Sequence, residues 1–110
     1  MKYYVTPYLV SGAFGYWSSG DYYNHSAMPA NLEITIQTPD GMPTNVISEI
    51  VAPWEHFLLT DVMISENLNQ PDGRCTVLVA CDDSVMVTNF IGRGDSMSVV
   101  PANEVDSLGK

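Results

Sequence analysis

Two segments near the start of the chain alternate between apolar and polar residues, which is the pattern of strands with one buried face. Lys2 to Val10 alternates loosely and is rich in tyrosine and valine, while Asn31 to Thr38 places its leucine and two isoleucines on one face. Because side chains point alternately to the two faces of a strand, both segments are predicted to be strands. Pro7 cannot donate a ladder hydrogen bond, so the first strand is predicted to lie at an edge or to contain a bulge.

The stretch from Arg74 to Ile91 has the pattern of a β-hairpin. Two arms rich in β-branched residues flank a polar break at Asp82 and Asp83. The first arm, which ends at Cys81, is apolar on both faces, and this favours a position in the middle of a sheet. Since Asp-Asp lacks the glycine that two-residue turns prefer, a three- or four-residue loop that includes Ser84 is an alternative.

The period of the pattern changes between residues 43 and 54. The apolar residues recur at the i, i+3, i+4 and i+7 spacing of an amphipathic helix: Val46, Ile47, Ile50, Val51 and Trp54. One short helix is therefore predicted, and Pro53 is expected to end or kink it. His56 to Ser65 is predicted to be a strand, with a continued helix as the alternative.

Residues 11–30 contain several glycines and a proline without a clean period, so they are predicted to form a long loop or a loose hairpin. All six tyrosines lie in the first 23 residues of the chain. Tyrosine and tryptophan suit binding surfaces because they bury much area and keep a polar tip. The candidate partner- or ligand-binding residues combine this aromatic segment with nearby and distant acids: Tyr16, Trp17, Asp21, Tyr22, Tyr23, Glu55, Asp82 and Asp83.

These elements predict an α+β domain: a mostly antiparallel sheet of about five strands with one short helix packed on it. If residues 45–54 are extended, the alternative is an all-β sandwich or barrel. The 110 residues are enough for one domain with its own core. The predicted domain spans residues 1–100, with a short edge strand from Ser98 to Val100, and residues 101–110 are predicted to be a polar C-terminal tail.

Charge is unevenly distributed along the chain. There are 13 acidic and 4 basic residues, a net charge of −9, and no lysine or arginine lies between Tyr3 and Gly73. Direct nucleic-acid binding is disfavoured because it requires cations that neutralise phosphates, whereas a basic protein partner is favoured. The composition resembles that of immunity proteins and of phage-encoded inhibitors of host nucleases. That resemblance implies a non-catalytic acidic protein that binds, and can inhibit, a basic macromolecular partner.

The aromatic segment supports a second hypothesis, a small-ligand binder for a nucleotide or a sugar. Stacking on the exposed rings of residues 11–30 would supply the affinity. A third hypothesis, an enzyme centred on His56, is weaker because Glu55 and His56 point to opposite faces of the predicted strand. The sequence contains no P-loop, dinucleotide fingerprint or GxSxG motif. We therefore expect no catalytic residues, no metal site, no cofactor and no enzymatic activity.

The remaining expectations concern compartment and assembly. No apolar run approaches the length of a membrane helix, so no membrane span is predicted. Cys75 and Cys81 would be roughly 20 Å apart on one strand, which predicts free thiols and a cytoplasmic location. The apolar hairpin and the tyrosine-rich first strand suit a homo-oligomer. The tripeptide Arg93-Gly94-Asp95 resembles the adhesion motif recognised by integrins, and we interpret it as a turn.

Overall fold

A computed structural model describes residues 1–11, 14–40, 43–66 and 73–109 of the chain. Within these ranges the elements are β1 Lys2–Val10, β2 Tyr16–Asn24, β3 Ala30–Gln37, β4 Pro43–Val51, β5 His56–Leu59, α1 Asp61–Glu66, β6 Arg74–Cys81, β7 Val85–Arg93, β8 Ser96–Val100 and β9 Asn103–Val105.

The strands form two antiparallel sheets. The first sheet has the order β4-β3-β6-β1-β9 and the second has the order β5-β2-β7-β8. The prediction of a mostly antiparallel β-fold with one short helix is confirmed, but the described chain has nine strands instead of about five. The arrangement in two sheets corresponds to the sandwich alternative.

The hydrophobic core lies between the inner faces of the two sheets. The five-stranded sheet contributes alternate residues of its central strands, such as Ile34 on β3 and Val77 on β6. The four-stranded sheet contributes Tyr22, and α1 adds Ile64 from one end. Removing this apolar surface from water is the main force that holds the two layers together.

The predicted hairpin from Arg74 to Ile91 is wrong. Its two arms, β6 and β7, belong to different sheets, and β6 pairs with β1 and β3 while β7 pairs with β2 and β8. The turn at Asp82 and Asp83 therefore crosses from one layer to the other, and it is closed by a hydrogen bond from Val85 N to Asp82 O. The apolar character of both faces of β6 fits its observed place at the centre of the five-stranded sheet.

The helix predicted between residues 43 and 54 is also wrong, because this segment is the edge strand β4. Its apolar residues are β-branched, which favours extended backbone, and pairing with β3 places Ile47 beside Ile34 and Val51 beside Ala30. Val51 is buried, whereas Ile50 is 71% exposed on the outer face. The spacing that suggested a helix therefore arose from apolar residues on both faces of a strand.

The one helix lies in the segment that was predicted to continue as a strand to Ser65. The strand ends at Leu59, and Thr60 caps the helix: its hydroxyl accepts a hydrogen bond from Met63 N, and its carbonyl accepts one from Ile64 N. A threonine side chain that satisfies a free amide of the first turn is a favourable N-cap.

Residues 11–30, predicted to be a long loop or a loose hairpin, contain the nine-residue strand β2, which pairs with β5 and β7. A strand is recognised in a sequence by apolar residues at its inward positions. In β2 the inward positions are occupied by Ser18, Gly20 and Asn24, which are buried there beside Tyr22. Their polar groups are satisfied internally; for example, the Tyr22 hydroxyl donates to Asn89 Oδ1 at 3.0 Å. Buried polar residues with partners are compatible with a central strand.

The remaining strand predictions are partly confirmed. β1 has a register shift between Thr6 and Leu9, next to Pro7, as expected for a proline within a strand. The segment predicted as a tail, residues 101–110, contains β9, which pairs with Tyr3 to Val5 of β1 and so forms an edge of the five-stranded sheet. The Arg93-Gly94-Asp95 segment turns between β7 and β8, with Gly94 at a φ of 60°.

Candidate functional site: an aromatic cluster at an acidic end

Four aromatic and imidazole rings meet at one end of the four-stranded sheet. The Tyr23 and His56 rings are stacked with centroids 4.5 Å apart, and the Tyr23 and His25 centroids are 5.8 Å apart. The His25 ring meets Trp54 edge-on at 5.3 Å. We call Tyr23, His25, Trp54 and His56 the aromatic cluster. It contains both histidines of the chain and one of its two tryptophans.

Strand pairing sets the stacked half of the cluster. Tyr23 on β2 lies directly opposite His56 on β5, and both side chains point to the outer face of the sheet. The Asp21 carboxylate, two residues earlier on β2, lies 2.7 Å from His56 Nδ1. This contact fixes the orientation of the imidazole, because one of its two nitrogens is engaged.

The other half of the cluster is held by the buried side chain of Asn24. Its amide nitrogen lies 2.7 Å from Met28 O, 3.0 Å from Val51 O and 3.3 Å from Ala52 O. Its amide oxygen accepts hydrogen bonds from the hydroxyls of Ser26 and Ser84. One side chain thus joins the loop after β2, the end of β4 and the turn that precedes β7.

Trp54 has an unusual backbone conformation. Its φ is 61°, in the left-handed region that non-glycine residues rarely occupy, and its side chain is 54% exposed. The surrounding main chain holds it there: Trp54 N donates to Asn24 O, and Glu55 O accepts from Asn24 N, each at 3.0 Å. Strained residues that persist because their surroundings hold them are common at ligand-binding sites.

Acidic residues lie around the cluster. The turn with Asp82 and Asp83 contacts it directly, because His25 N donates to Ser84 O at 3.0 Å. The Asp82 carboxylate accepts hydrogen bonds from the main-chain and side-chain nitrogens of Asn31, and Asp83 lies 3.3 Å from the terminal ammonium of Met1. Glu55, next to Trp54 in sequence, is exposed.

The structure brings together five of the eight candidate residues named from the sequence. Asp21, Tyr23 and Glu55 lie in or directly beside the aromatic cluster, and Asp82 and Asp83 lie in the turn whose Ser84 carbonyl accepts a hydrogen bond from His25 N. The other three are elsewhere.

Tyr16 and Trp17 lie at the opposite end of β2, where the Arg93 guanidinium sits 5.4 Å from the centre of the Tyr16 ring. The Tyr22 side chain is fully buried in the core and is not accessible from the surface.

The sequence analysis did not select His25, Trp54 or His56 as binding residues. Their proximity depends on the pairing of β2 with β5, whose residues are more than thirty positions apart in the chain. The signal available in the sequence was a local one: each of the two histidines lies within two residues of an aromatic residue.

The aromatic cluster offers stacking faces, imidazole nitrogens and a neighbouring carboxylate. Among the residues that the structure describes, no group of three or more histidine, cysteine, aspartate or glutamate side chains is close enough to hold a metal ion. Both cysteines are buried as free thiols on β6, and burial raises the pKa of Cys75 from 9.0 to about 12. A thiol with a raised pKa is a poor nucleophile at neutral pH.

No helix in the described ranges is long and apolar enough to cross a membrane.

No known protein-family model matches the sequence, and no curated protein matches it either. The fold is similar to that of a solved protein described as "Crystal Structure of Thermotoga maritima 1070". That likeness has a TM-score of 0.65 and 13% sequence identity, and it covers 94% of this chain and 90% of the other. At this identity the likeness concerns the fold alone.

Proposed function

We propose that the chain is a non-catalytic binding domain that docks on a basic macromolecular partner through the aromatic cluster and the acids around it. The observation that supports this most strongly is the juxtaposition of exposed rings with Asp21 and Glu55. Aromatic faces attract lysine and arginine side chains, and nearby carboxylates strengthen that attraction.

The charge of the whole chain supports the same partner. The segment from Tyr3 to Gly73 supplies β2, β3, β4, β5 and α1, and it has no lysine or arginine to repel a cation. A net charge of −9 steers a basic surface towards the protein and raises the rate of association. Covering a basic, nucleic-acid-binding surface would also inhibit the partner, so inhibition is part of the proposal. The proposal also includes a cytoplasmic location of the protein, where its cysteines would remain free thiols.

The arrangement of the cluster favours binding over a merely structural role. The rings of His25, Trp54 and His56 are exposed and that of Tyr23 is half-buried. They stand on a buried hydrogen-bond network centred on Asn24 and on the strained backbone of Trp54. A rigid, exposed aromatic group loses little side-chain entropy when it binds, which increases affinity.

The test uses defined peptides in place of the unidentified partner. An arginine- and lysine-rich peptide and a neutral peptide of equal length would each be titrated into isotope-labelled protein, with backbone amide shifts as the readout. We expect shifts at Tyr23, His25, Trp54 and His56 with the basic peptide only. Raising the salt concentration from about 0.05 to about 0.5 M, which shortens the Debye length about threefold, should weaken the complex.

Matched variants separate specific docking from general attraction. Glu55→Gln and Glu66→Gln each remove one negative charge, but Glu66 lies at the end of α1, away from the cluster. Glu55→Gln should weaken peptide binding more than Glu66→Gln, and Trp54→Ala should weaken it about tenfold through loss of the cation–π contact. Equal effects of the two glutamate changes, or shifts spread evenly over the surface, would reject the proposed site.

A small ligand is the second candidate function, because a nucleotide base or a sugar ring can also stack on exposed aromatic faces. The segment 11–30 that suggested it is mostly the strand β2, so the stacking surface would be Tyr23 and Trp54. Tryptophan fluorescence across a panel of nucleotides and sugars tests this candidate. Saturable quenching that disappears in Trp54→Phe would favour it over the basic partner.

A further inference from the structure

The outer face of the four-stranded sheet carries a second surface, remote from the aromatic cluster. Strand register places Trp17, Gly92 and Met97 in one row across β2, β7 and β8, and Phe90 and Val99 in the next row. Met97 is 59% exposed and Val99 is 64% exposed. We call Trp17, Phe90, Met97 and Val99 the β8 patch. At about 3.3 Å per residue, the Trp17 row lies about 20 Å along β2 from Tyr23, and the Phe90 row, level with Ser19, lies about 13 Å from it.

None of the four residues of the β8 patch is charged, and the nearest charges along the chain, Arg93 and Asp95, lie at the turn before β8. Its methionine and aromatic residues are types enriched in protein interfaces. The Trp17 ring lies directly over Gly92: a Cβ atom at that position would come within 2.2 Å of Trp17 Cζ2. The glycine thus allows a large aromatic ring to lie against the sheet and continue the patch.

The edge strand β8 also lacks the protection seen on β4 and β9, the two edge strands of the other sheet in the described chain. Natural proteins shield exposed strand edges with charged residues and prolines to prevent pairing with other chains. β4 contains Glu49 and starts at Pro43, and β9 contains Glu104. The other edge of the four-stranded sheet, β5, has no charge or proline but is only four residues long. The sequence of β8 is Ser-Met-Ser-Val-Val, with neither a charge nor a proline.

We propose that a second copy of this chain docks on β8 and the β8 patch. The two β8 strands would pair antiparallel about a two-fold axis, so that two four-stranded sheets continue into one of eight strands. The arrangement is isologous, because each copy offers the same edge and the same patch. It satisfies the free main-chain groups of β8 and covers Met97 and Val99 of both copies.

The charge distribution identifies a second copy as the occupant, and not the basic partner of the aromatic cluster. A basic surface gains nothing from an uncharged patch and would be attracted to the acidic end. Two copies with the same net negative charge repel each other. At the β8 patch they can meet without placing negative side chains opposite each other. Added salt screens that repulsion, so self-association should strengthen with salt while binding of a basic peptide weakens.

The first test is the mass of the wild-type protein in solution, measured by sedimentation at several concentrations and two salt concentrations. We expect a dimer of twice the chain mass of 12.1 kDa, with more dimer at high salt. Val99→Lys and Met97→Lys should each raise the dimer dissociation constant at least about tenfold, since like charges would meet across the axis.

The matched control is Ile50→Lys, which places the same charge on an exposed residue of β4, an edge strand of the other sheet. This variant should dimerise as the wild type does. A wild-type protein that stays monomeric at all concentrations, or a dimer that Ile50→Lys disrupts as strongly as Val99→Lys, would overturn the proposal. Circular dichroism on each variant ensures that a loss of dimer is not a loss of folding.

A second measurement does not depend on destabilising the dimer. Met97→Cys, Ser98→Cys and Val99→Cys would each be oxidised mildly, with Cys75 and Cys81 buried and out of reach. A two-fold axis at β8 brings one of these positions against its own copy, so at least one variant should form a cross-linked dimer. Ile50→Cys should not. Equal cross-linking at position 50, or none at any β8 position, would count against pairing through β8.

Both results are independent of the proposed function. Failure of dimerisation leaves the peptide-binding test at the aromatic cluster unaffected, and failure of peptide binding leaves the dimer test unaffected.

Discussion

The main-chain oxygen of Asn24 accepts a hydrogen bond of 3.0 Å from the main-chain nitrogen of Trp54, a residue whose φ is 61°. Asn24 also donates its side-chain amide to the carbonyls of Val51 and Ala52, just before Trp54. A buried residue of one strand therefore holds an exposed aromatic residue of a neighbouring turn in a conformation it would not adopt alone. Stability and binding should consequently respond to different substitutions at this site.

The first prediction concerns the backbone of Trp54. Glycine occupies positive φ without the steric penalty of a Cβ atom, which is about 1 kcal/mol or more for other residues. Trp54→Gly should therefore be more stable than Trp54→Ala by about 1 kcal/mol, although both remove the indole. Urea unfolding of the two variants measures the difference. If Trp54→Ala proves as stable as Trp54→Gly, the left-handed conformation is not maintained in solution.

The second prediction concerns the Asn24 side chain. Asn24→Ala removes a buried amide whose two N–H groups are shared among three carbonyls and whose oxygen accepts from two hydroxyls. We expect a loss of about 2–4 kcal/mol in the free energy of unfolding. Ser26→Ala is the control, because its hydroxyl contacts the same asparagine but lies at the surface of the network. It should cost about 1 kcal/mol or less. Comparable losses for the two variants would show that the network does not depend on Asn24.

The third prediction concerns the contact between Trp17 and Gly92. An added Cβ at position 92 would lie 2.2 Å from Trp17 Cζ2 and 2.7 Å from Ser96 O, so Gly92→Ala should displace the indole. We expect a loss of about 1–3 kcal/mol in stability and a shift of the tryptophan emission to longer wavelength. A Trp54→Phe background makes Trp17 the sole tryptophan for this measurement.

Gly94→Ala provides a contrast in the same background. Nothing lies within 4 Å of a Cβ at Gly94, but its φ is 60°, so the added methyl group costs backbone strain without a direct clash. Because the Gly94 carbonyl accepts a hydrogen bond of 3.5 Å from Trp17 Nε1, the emission of Gly94→Ala should shift, but less than that of Gly92→Ala. An unchanged spectrum in Gly92→Ala would mean that Trp17 does not lie against the glycine.

The strands with regular alternation were predictable from the sequence. β3 alternates cleanly, and β6 was expected at the centre of a sheet because it is apolar on both faces. The pattern could not predict which strands are hydrogen-bonded to one another. Neighbouring strands joined by a short turn usually pair, but β6 finds both of its partners far away in sequence and β7 turns into the other layer.

β2 was missed for a different physical reason. Pattern analysis assumes that inward positions are apolar, whereas β2 buries Ser18, Gly20 and Asn24 and satisfies them with hydrogen bonds from other elements. Those partners are unknowable from the sequence of β2 alone. The aromatic cluster was missed with it, because the stacking of Tyr23 on His56 exists only once β2 pairs with β5.

The fourth prediction concerns the dependence of stability on pH above neutrality. Burial raises the pKa of Cys75 from 9.0 to about 12, and burial raises the pKa of Cys81 to about 11 with Lys2 acting in the opposite direction. Between about pH 9 and pH 11 the unfolded chain loses both thiol protons while the folded chain keeps them. The folded state then binds more protons than the unfolded state, so the free energy of unfolding must fall as the pH rises.

The size of this effect is limited to about 1.4 kcal/mol per thiol for each pH unit in that window. Burial also raises the pKa of Tyr22, and this adds a further decrease in the free energy of unfolding at higher pH. Urea unfolding from pH 8 to pH 11 measures the slope. In the double variant Cys75→Ala, Cys81→Ala the slope should be smaller by the thiol contribution, even though the variant is less stable at every pH. An identical slope in that variant and in the wild type would mean that the thiols ionise as readily in the folded chain as in the unfolded one.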